Sequence, residues 1–238
     1  LRSIVHAGGC VTGAYAEDGA LVGAAALTPS VPSVASYSFI AAARSGSSDT
    51  GIGYAIKTYQ RSWALTNGFT TMSWTFDPLV SRNARFNLVK LGAVAEVYEV
   101  AFYGQPTDEI SGCDEADRLV ARWALDSERV LAAAEVVING FVGTPQTDSA
   151  VEAARHPPLQ SVSAELGPDG SPMLARLDVE RWCRVPRDIV ALRRSDPDQA
   201  SAWRMAVRAV FTEAFREGLH ATSMSRDGWY RLTAKGTS

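Results

Sequence analysis

Gly51 and Gly53 stand where an apolar run gives way to a helical pattern, and that arrangement can hold a phosphate. The first turn of a helix leaves backbone N–H groups unpaired at a positive dipole end. Glycine, lacking Cβ, lets an anionic group approach them closely. The Gly/Ser-rich loop before them ends in Ser48, Asp49 and Thr50, all residue types that cap helix starts. The lysine–serine pair of a P-loop is absent, and so is the six-residue glycine spacing of a dinucleotide fingerprint. A tight turn without a ligand is the commoner meaning of such a loop, so the spacing leaves both readings open.

The flanking elements are legible from periodicity. Residues 36–42, SYSFIAA, are apolar and β-prone enough for a buried strand. Ile52, Ala55, Ile56, Tyr59 and Trp63 recur at three- and four-residue steps and predict one helical face, stopped by Asn67-Gly68. Before them, residues 10–16 and 20–27 predict a hairpin around Glu17-Asp18-Gly19, followed by a connector in which Pro29 and Pro32 bar ladder bonds. After them come a strand over 70–76, ended by Asp77-Pro78, and a helix over 81–91 closed by Gly92. Strands over 93–103 and 118–125 follow, separated by a polar loop. Antiparallel strands open this half, and a crossover helix leads to a parallel neighbour.

In the second half, residues 127–158 show no clear pattern beyond an apolar stretch over 130–142. A hairpin is predicted from 160–166 and 173–185, around Gly167-Pro168-Asp169-Gly170. From Asp198, a strong helix carries Trp203, Ala206, Val207, Val210, Ala214 and Phe215 as its core stripe and ends at Gly218. A last hairpin, 219–225 with 229–233, turns at Arg226-Asp227-Gly228.

The totals exclude several classes. With 238 residues and 46% hydrophobic content, the chain can bury one large or two small cores. A net charge of −3 with scattered Lys and Arg argues against nucleic acid, and no apolar run reaches the roughly 20 residues of a membrane span. Cys10, Cys113 and Cys183 are far apart and odd in number, as are His6, His156 and His220, so neither a disulfide framework nor a metal site is expected. Reduced thiols and no signal-peptide pattern point to the cytoplasm. The opening LRSIVHAGG looks like the end of a helix, so an N-terminal portion is expected to be missing.

Two strings, GIGYAIKTYQRSWAL and TMSWTFDPLVSRNARFNLVKLGA, together with the element order from Cys10 to Leu125, resemble the GNAT superfamily of acyl-CoA N-acyltransferases. The longer string is similar to a little-characterised bacterial subgroup, in which Asp117-Arg118-Leu119 and Trp123 also recur. The tail RVPRDIVALRRSDPDQASAWRMAVRAVFTEAFREG resembles that subgroup's C-terminal extension. The resemblance implies an α/β (α+β) fold: a mixed central sheet flanked by helices, with a C-terminal hairpin, helix and hairpin packed on it. Residues 1–126 would form the acyl-CoA-binding domain and residues 127–238 the extension.

It also implies roles. Backbone groups of Phe39, Ile40 and Ala41 would pair with the pantetheine arm like an added strand. The amides of Thr50, Gly51, Ile52, Gly53 and Tyr54 would hold the pyrophosphate. Asn83 and Asn87, one turn apart on a single side, would bond the pantetheine or the acyl group. The chain departs from the family pattern at two places: Ser48 stands at the usual Gln/Arg position of the loop, and Leu88 where a Tyr often protonates the leaving thiolate. A lost charge-assisted phosphate contact costs on the order of 1.5–3 kcal/mol.

Amide formation from a thioester needs a neutral amine, a route for its proton and donors for the oxyanion. Glu96, Glu99 and Asp77 are the carboxylates placed to act as base, and Glu96 and Glu99 point to opposite strand faces. The expected activity is transfer from an acyl-CoA, acetyl-CoA or another short acyl-CoA, to a small amine or amino acid, without metal, nucleic acid or membrane. The alternative is a non-catalytic CoA-binding or scaffold module. The C-terminal half would wall the acceptor site or form a homodimer.

Overall fold

The computed structural model describes residues 1–44, 51–104, 117–142 and 164–234. Its chain divides into two compact units: Leu1–Trp74 with Arg122–Leu131, and Thr75–Ala121 with Ala132–Ser238. The boundary expected at residue 126 therefore falls inside the first unit's second segment. The class is mixed α/β, as expected.

In the first unit, a short helix α1 (Arg2–His6) precedes β1 (Cys10–Tyr15), β2 (Leu21–Ser30) and β3 (Ala35–Ala43), and then come α2 (Ile52–Thr66) and β4 (Thr71–Phe76). The strands lie in the order β1-β2-β3-β4, antiparallel until β3 meets β4 in parallel. The crossover through α2 makes that parallel pair. Strand β2 runs through Pro29, against expectation. The reason is that β1 stops opposite Leu27, so beyond it β2 has a partner on one side only and a proline costs little there. Ala25, Ala26, Leu27, Ile56, Ala64, Met72 and Trp74 fill this unit's core. Gly23 lets α2 lie close, because a Cβ there would come within 2.6 Å of Ile56 Cδ1 and 3.0 Å of Ile52 Cγ2.

The second unit begins within β4 and continues through α3 (Ser81–Arg85), β5 (Val94–Glu99) and β6 (Arg118–Ala124), the last shared with the first unit. Helix α4 (Glu128–Val142) occupies the stretch in which periodicity showed no element; its alanines favour helix without marking a face. Then follow β7 (Ala164–Leu166), β8 (Pro172–Leu177), β9 (Glu180–Arg184), α5 (Ile189–Ser195), α6 (Pro197–Arg216), β10 (Leu219–Met224) and β11 (Trp229–Ala234). The order here is β6-β5-β10-β11-β9-β8-β7. The C-terminal strands continue the sheet through Ala221 of β10 opposite Ala95 of β5. The single strand expected over 173–185 folds back at Asp178, whose φ of 28° an aspartate tolerates better than most residues.

The helix expected over 81–91 changes character midway. After α3 it continues as a π turn, Phe86–Lys90, in which Leu91 N–H donates to Phe86 O at 3.0 Å. The predicted strand over 93–103 stops at Glu99 because the buried Asp117 draws the chain aside: its Oδ1 accepts from Ala101 N at 3.0 Å.

Helix α6 supplies the charges that lock this unit. Arg204 meets both carboxylate oxygens of Asp77, at 2.9 and 3.1 Å, and Arg193 of α5 adds a contact at 2.6 Å. One turn on, Arg208 meets both oxygens of Asp117 at 2.9 and 3.0 Å, and Tyr98 donates to the same group at 2.7 Å. Breaking a buried pair strands its partner, so Asp77→Asn is expected to cost about 3–5 kcal/mol in urea unfolding. Burial alone would raise the Asp77 pKa, but the Arg204 and Arg193 guanidiniums outweigh it and hold the group below its ordinary value. That stability is present above about pH 4 and is lost as pH falls through the lower, folded pKa; unfolding curves of wild type and Asp77→Asn should therefore converge in acid.

Candidate functional site

The site begins where two parallel strands part. β3 and β4 pair only at Ala35–Thr71, Ser36–Met72 and Tyr37–Ser73. Beyond Tyr37, β3 runs on to Ala43 with β2 on one edge and no described strand on the other. Phe39 is an extra residue in the β2 ladder, since Leu27 opposes Ser38 while Ala26 opposes Ile40. It forms a bulge that re-aims the backbone just after the ladder ends. Phe39 and Ile40 are 70% and 53% exposed, and Ala41–Ala43 are exposed as well. A row of strand amides and carbonyls facing no strand is a ready template for an extended ligand.

Past this edge, the chain returns into α2. Gly51 stands at the N-cap with φ 81°, a left-handed conformation that suits glycine and strains residues with a Cβ. No described side chain caps the helix, so the first-turn amides of Ile52, Gly53 and Tyr54 have no such acceptor among the described residues. Thr50, expected to share in phosphate binding, lies outside the described residues, as does Cys113. Phe39, Ile40 and Ala41, by contrast, are consecutive on the open edge.

The other expected site residues belong to the second unit. Asn83 and Asn87 do not share a side: Asn83 is exposed and Asn87 is 4% exposed. The π turn is the reason, because its wider winding breaks the four-residue repeat that would align them. Glu96 is half-buried on β5 and Glu99 exposed, in keeping with their opposite faces. Asp77 has both oxygens committed to guanidiniums and a lowered pKa, which makes it a weak proton acceptor and an anchor for α6. Leu88 is 1% exposed and apolar, with no proton to give.

Periodicity missed one cluster. The buried face of α2 is Ile56, Lys57, Gln60 and Ala64, while Tyr59, expected inside, is 52% exposed. Lys57 Nζ donates to Ser38 Oγ at 2.9 Å and lies 3.7 Å from the Trp74 ring centre. Ser38 Oγ donates in turn to Gln60 Oε1 at 3.0 Å, and Gln60 Nε2 has no partner among the described residues. The available signal was on the strand: Ser36 and Ser38 alternate inward from a run otherwise fit for a core, so the helix above needs polar partners.

Burial pulls the Lys57 pKa down from 10.5 to about 7. The native state therefore holds fewer protons than the unfolded chain between about pH 7 and 10.5, and stability should rise with pH across that window. Lys57→Met should accordingly stabilise the protein on the order of 3 kcal/mol at pH 7, with the gain shrinking toward pH 10. Chemical unfolding of both proteins at several pH values measures this.

No protein-family model matches the chain, and no curated protein does. Solved structures do. A ribosomal-protein-alanine N-acetyltransferase from Brucella melitensis is 16% identical, with 52% of this chain and 73% of that one covered at a TM-score of 0.44. An N-acetyltransferase from Staphylococcus aureus is 12% identical, over 52% and 72%, at 0.44. A GNAT superfamily phosphinothricin acetyltransferase from Sinorhizobium meliloti, in complex with acetyl-CoA, is 16% identical, over 51% and 63%, at 0.43. Each likeness covers about half of this chain and concerns backbone shape alone.

Proposed function

We propose that this chain is a GNAT-superfamily N-acyltransferase that binds an acyl-CoA along β3 and passes the acyl group to a small amine or amino acid. The observation that carries this reading is the edge of β3 that no described strand covers, together with the start of α2, which no described side chain caps. The pantetheine arm carries two amides, which suit the strand edge, and the pyrophosphate suits the first-turn amides of Ile52, Gly53 and Tyr54. In the transfer, the amine nitrogen attacks the thioester carbonyl. A C–N bond forms, the C–S bond breaks, and the amine's proton leaves while the thiolate takes one up. The bulged backbone at Phe39 is the candidate donor to the oxyanion.

A second reading, a non-catalytic CoA-binding module, draws on Leu88, which fills the acid's usual position with a buried apolar side chain. Calorimetry with acetyl-, succinyl- and longer-chain CoA, followed by free-thiol release with an amine panel, separates the two. Binding with amine-dependent turnover supports transfer; binding without turnover supports the module; no binding at millimolar concentration removes both. Gly51→Ala, which puts a Cβ at φ 81°, should weaken acetyl-CoA binding about tenfold. Gly19→Ala, also at φ 81° but in the β1–β2 turn, should leave binding unchanged.

A further inference from the structure

The buried cluster beneath β3 is placed to act on the open edge. Ser38 is the first residue beyond the last parallel pair, and Phe39, the bulge, follows it. Among the described residues Ser38 Oγ has two partners, both on α2: it accepts from Lys57 and donates to Gln60. The hydroxyl's orientation is thus set by a lysine that has no carboxylate partner among the described residues. Strands β1, β2, β3 and β4 carry no Asp, Glu, His, Lys or Arg; their ionisable side chains are Cys10, Tyr15 and Tyr37. On α2 itself, Arg61 directs its Nε to the Leu125 carbonyl at 2.6 Å. Among the described residues Lys57 therefore meets Ser38 from β3 and the Trp74 ring from β4, neither of them charged.

We propose that Lys57 is a positioning residue whose proton, acting through Ser38, sets the backbone geometry of the Phe39 bulge and with it the affinity of the open edge for an acyl-CoA. As an ammonium, Lys57 can only donate, so Ser38 accepts from it and turns its hydrogen to Gln60 Oε1. As a neutral amine, Lys57 offers a lone pair, and Ser38 can reverse, donating to Nζ and releasing Gln60. The two arrangements pull differently on the residue that begins the free edge. Burial brings the exchange into the neutral range, about pH 7. The ligand part of this inference rests on the acyltransferase reading; the backbone part does not.

The test has two arms. In the first, the amide shift of 15N-labelled Phe39 is followed from pH 5.5 to about 9 in the apoprotein, alongside lysine 13Cε shifts. The wild-type Phe39 amide should titrate with the same midpoint as Lys57. It should be flat in Lys57→Met. In Ser38→Ala it should also be flat while Lys57 still titrates, which separates coupling through Ser38 from a field effect of the charge. A flat wild-type amide, or one that still titrates in both variants, overturns the proposal. In the second arm, calorimetry at pH 6 and pH 8.5 should give acetyl-CoA affinities for wild type that differ by about threefold more than those for Lys57→Met. Equal pH dependence in the two proteins overturns the ligand part. Absence of any acetyl-CoA binding defeats the acyltransferase reading while the first arm still decides the coupling.

Discussion

A parallel pair of strands that stops after three residues leaves the longer strand with one edge that no described strand covers, and the first unit is arranged around that edge. Backbone N–H and C=O groups without partners are costly when shut away from water, so the edge must stay open to solvent or meet a ligand. β3 is paired with β2 on both sides of the Phe39 bulge, from Ala35 to Ala43, which supports the strand along its other edge. The bulge at Phe39 re-aims the backbone at the place of parting, and Gly51 stands in a left-handed conformation at the N-cap of α2. Close seating of α2 in turn requires Gly23, where a Cβ would meet Ile56 and Ile52.

The second unit is organised by charge. Its carboxylates Asp77, half-buried, and Asp117, buried, end one strand and begin another, and each is met by an arginine of α6 one turn from its neighbour. Isolated buried ions are destabilising, but here the oxygens are multiply bonded, and such pairs gain geometry as well as energy. Phe211, between the two arginine turns and the helix end, packs edge-on against Tyr230 at 5.0 Å, and Tyr230 donates to Pro78 O at 2.8 Å. The C-terminal half thus holds the residues just after β4 and just before β6 in place, which gives the Asp77-Pro78 and Asp117-Arg118 motifs a structural meaning.

Much of this was legible in the chain itself. Period-2 alternation gave Met72, Trp74 and Phe76 as an inward face, and glycine stops marked the ends of α2 and α6. What escaped had physical causes. The buried face of α2 is rotated relative to its apolar stripe because two polar residues, Lys57 and Gln60, find partners inside, and a hydrophobicity period cannot register that. The π turn was invisible because apolar spacing does not distinguish it from an α-helix over one turn, yet it puts Asn83 and Asn87 in different surroundings. Arg204 hid within a core stripe for the same reason as Lys57: its burial depends on a carboxylate far away in sequence. The open edge itself needed three dimensions, since the length of β3 was readable and the point at which β4 leaves it was not.

The central claim is that the backbone of β3 beyond Tyr37 receives an extended ligand as a missing strand. Amide hydrogen exchange at Phe39, Ile40 and Ala41, measured with and without saturating acetyl-CoA, addresses it directly. Slowed exchange at these amides on addition of the ligand, with amides elsewhere in β2 unaltered, is the predicted result. Unchanged exchange along this edge while the ligand is bound would contradict the account.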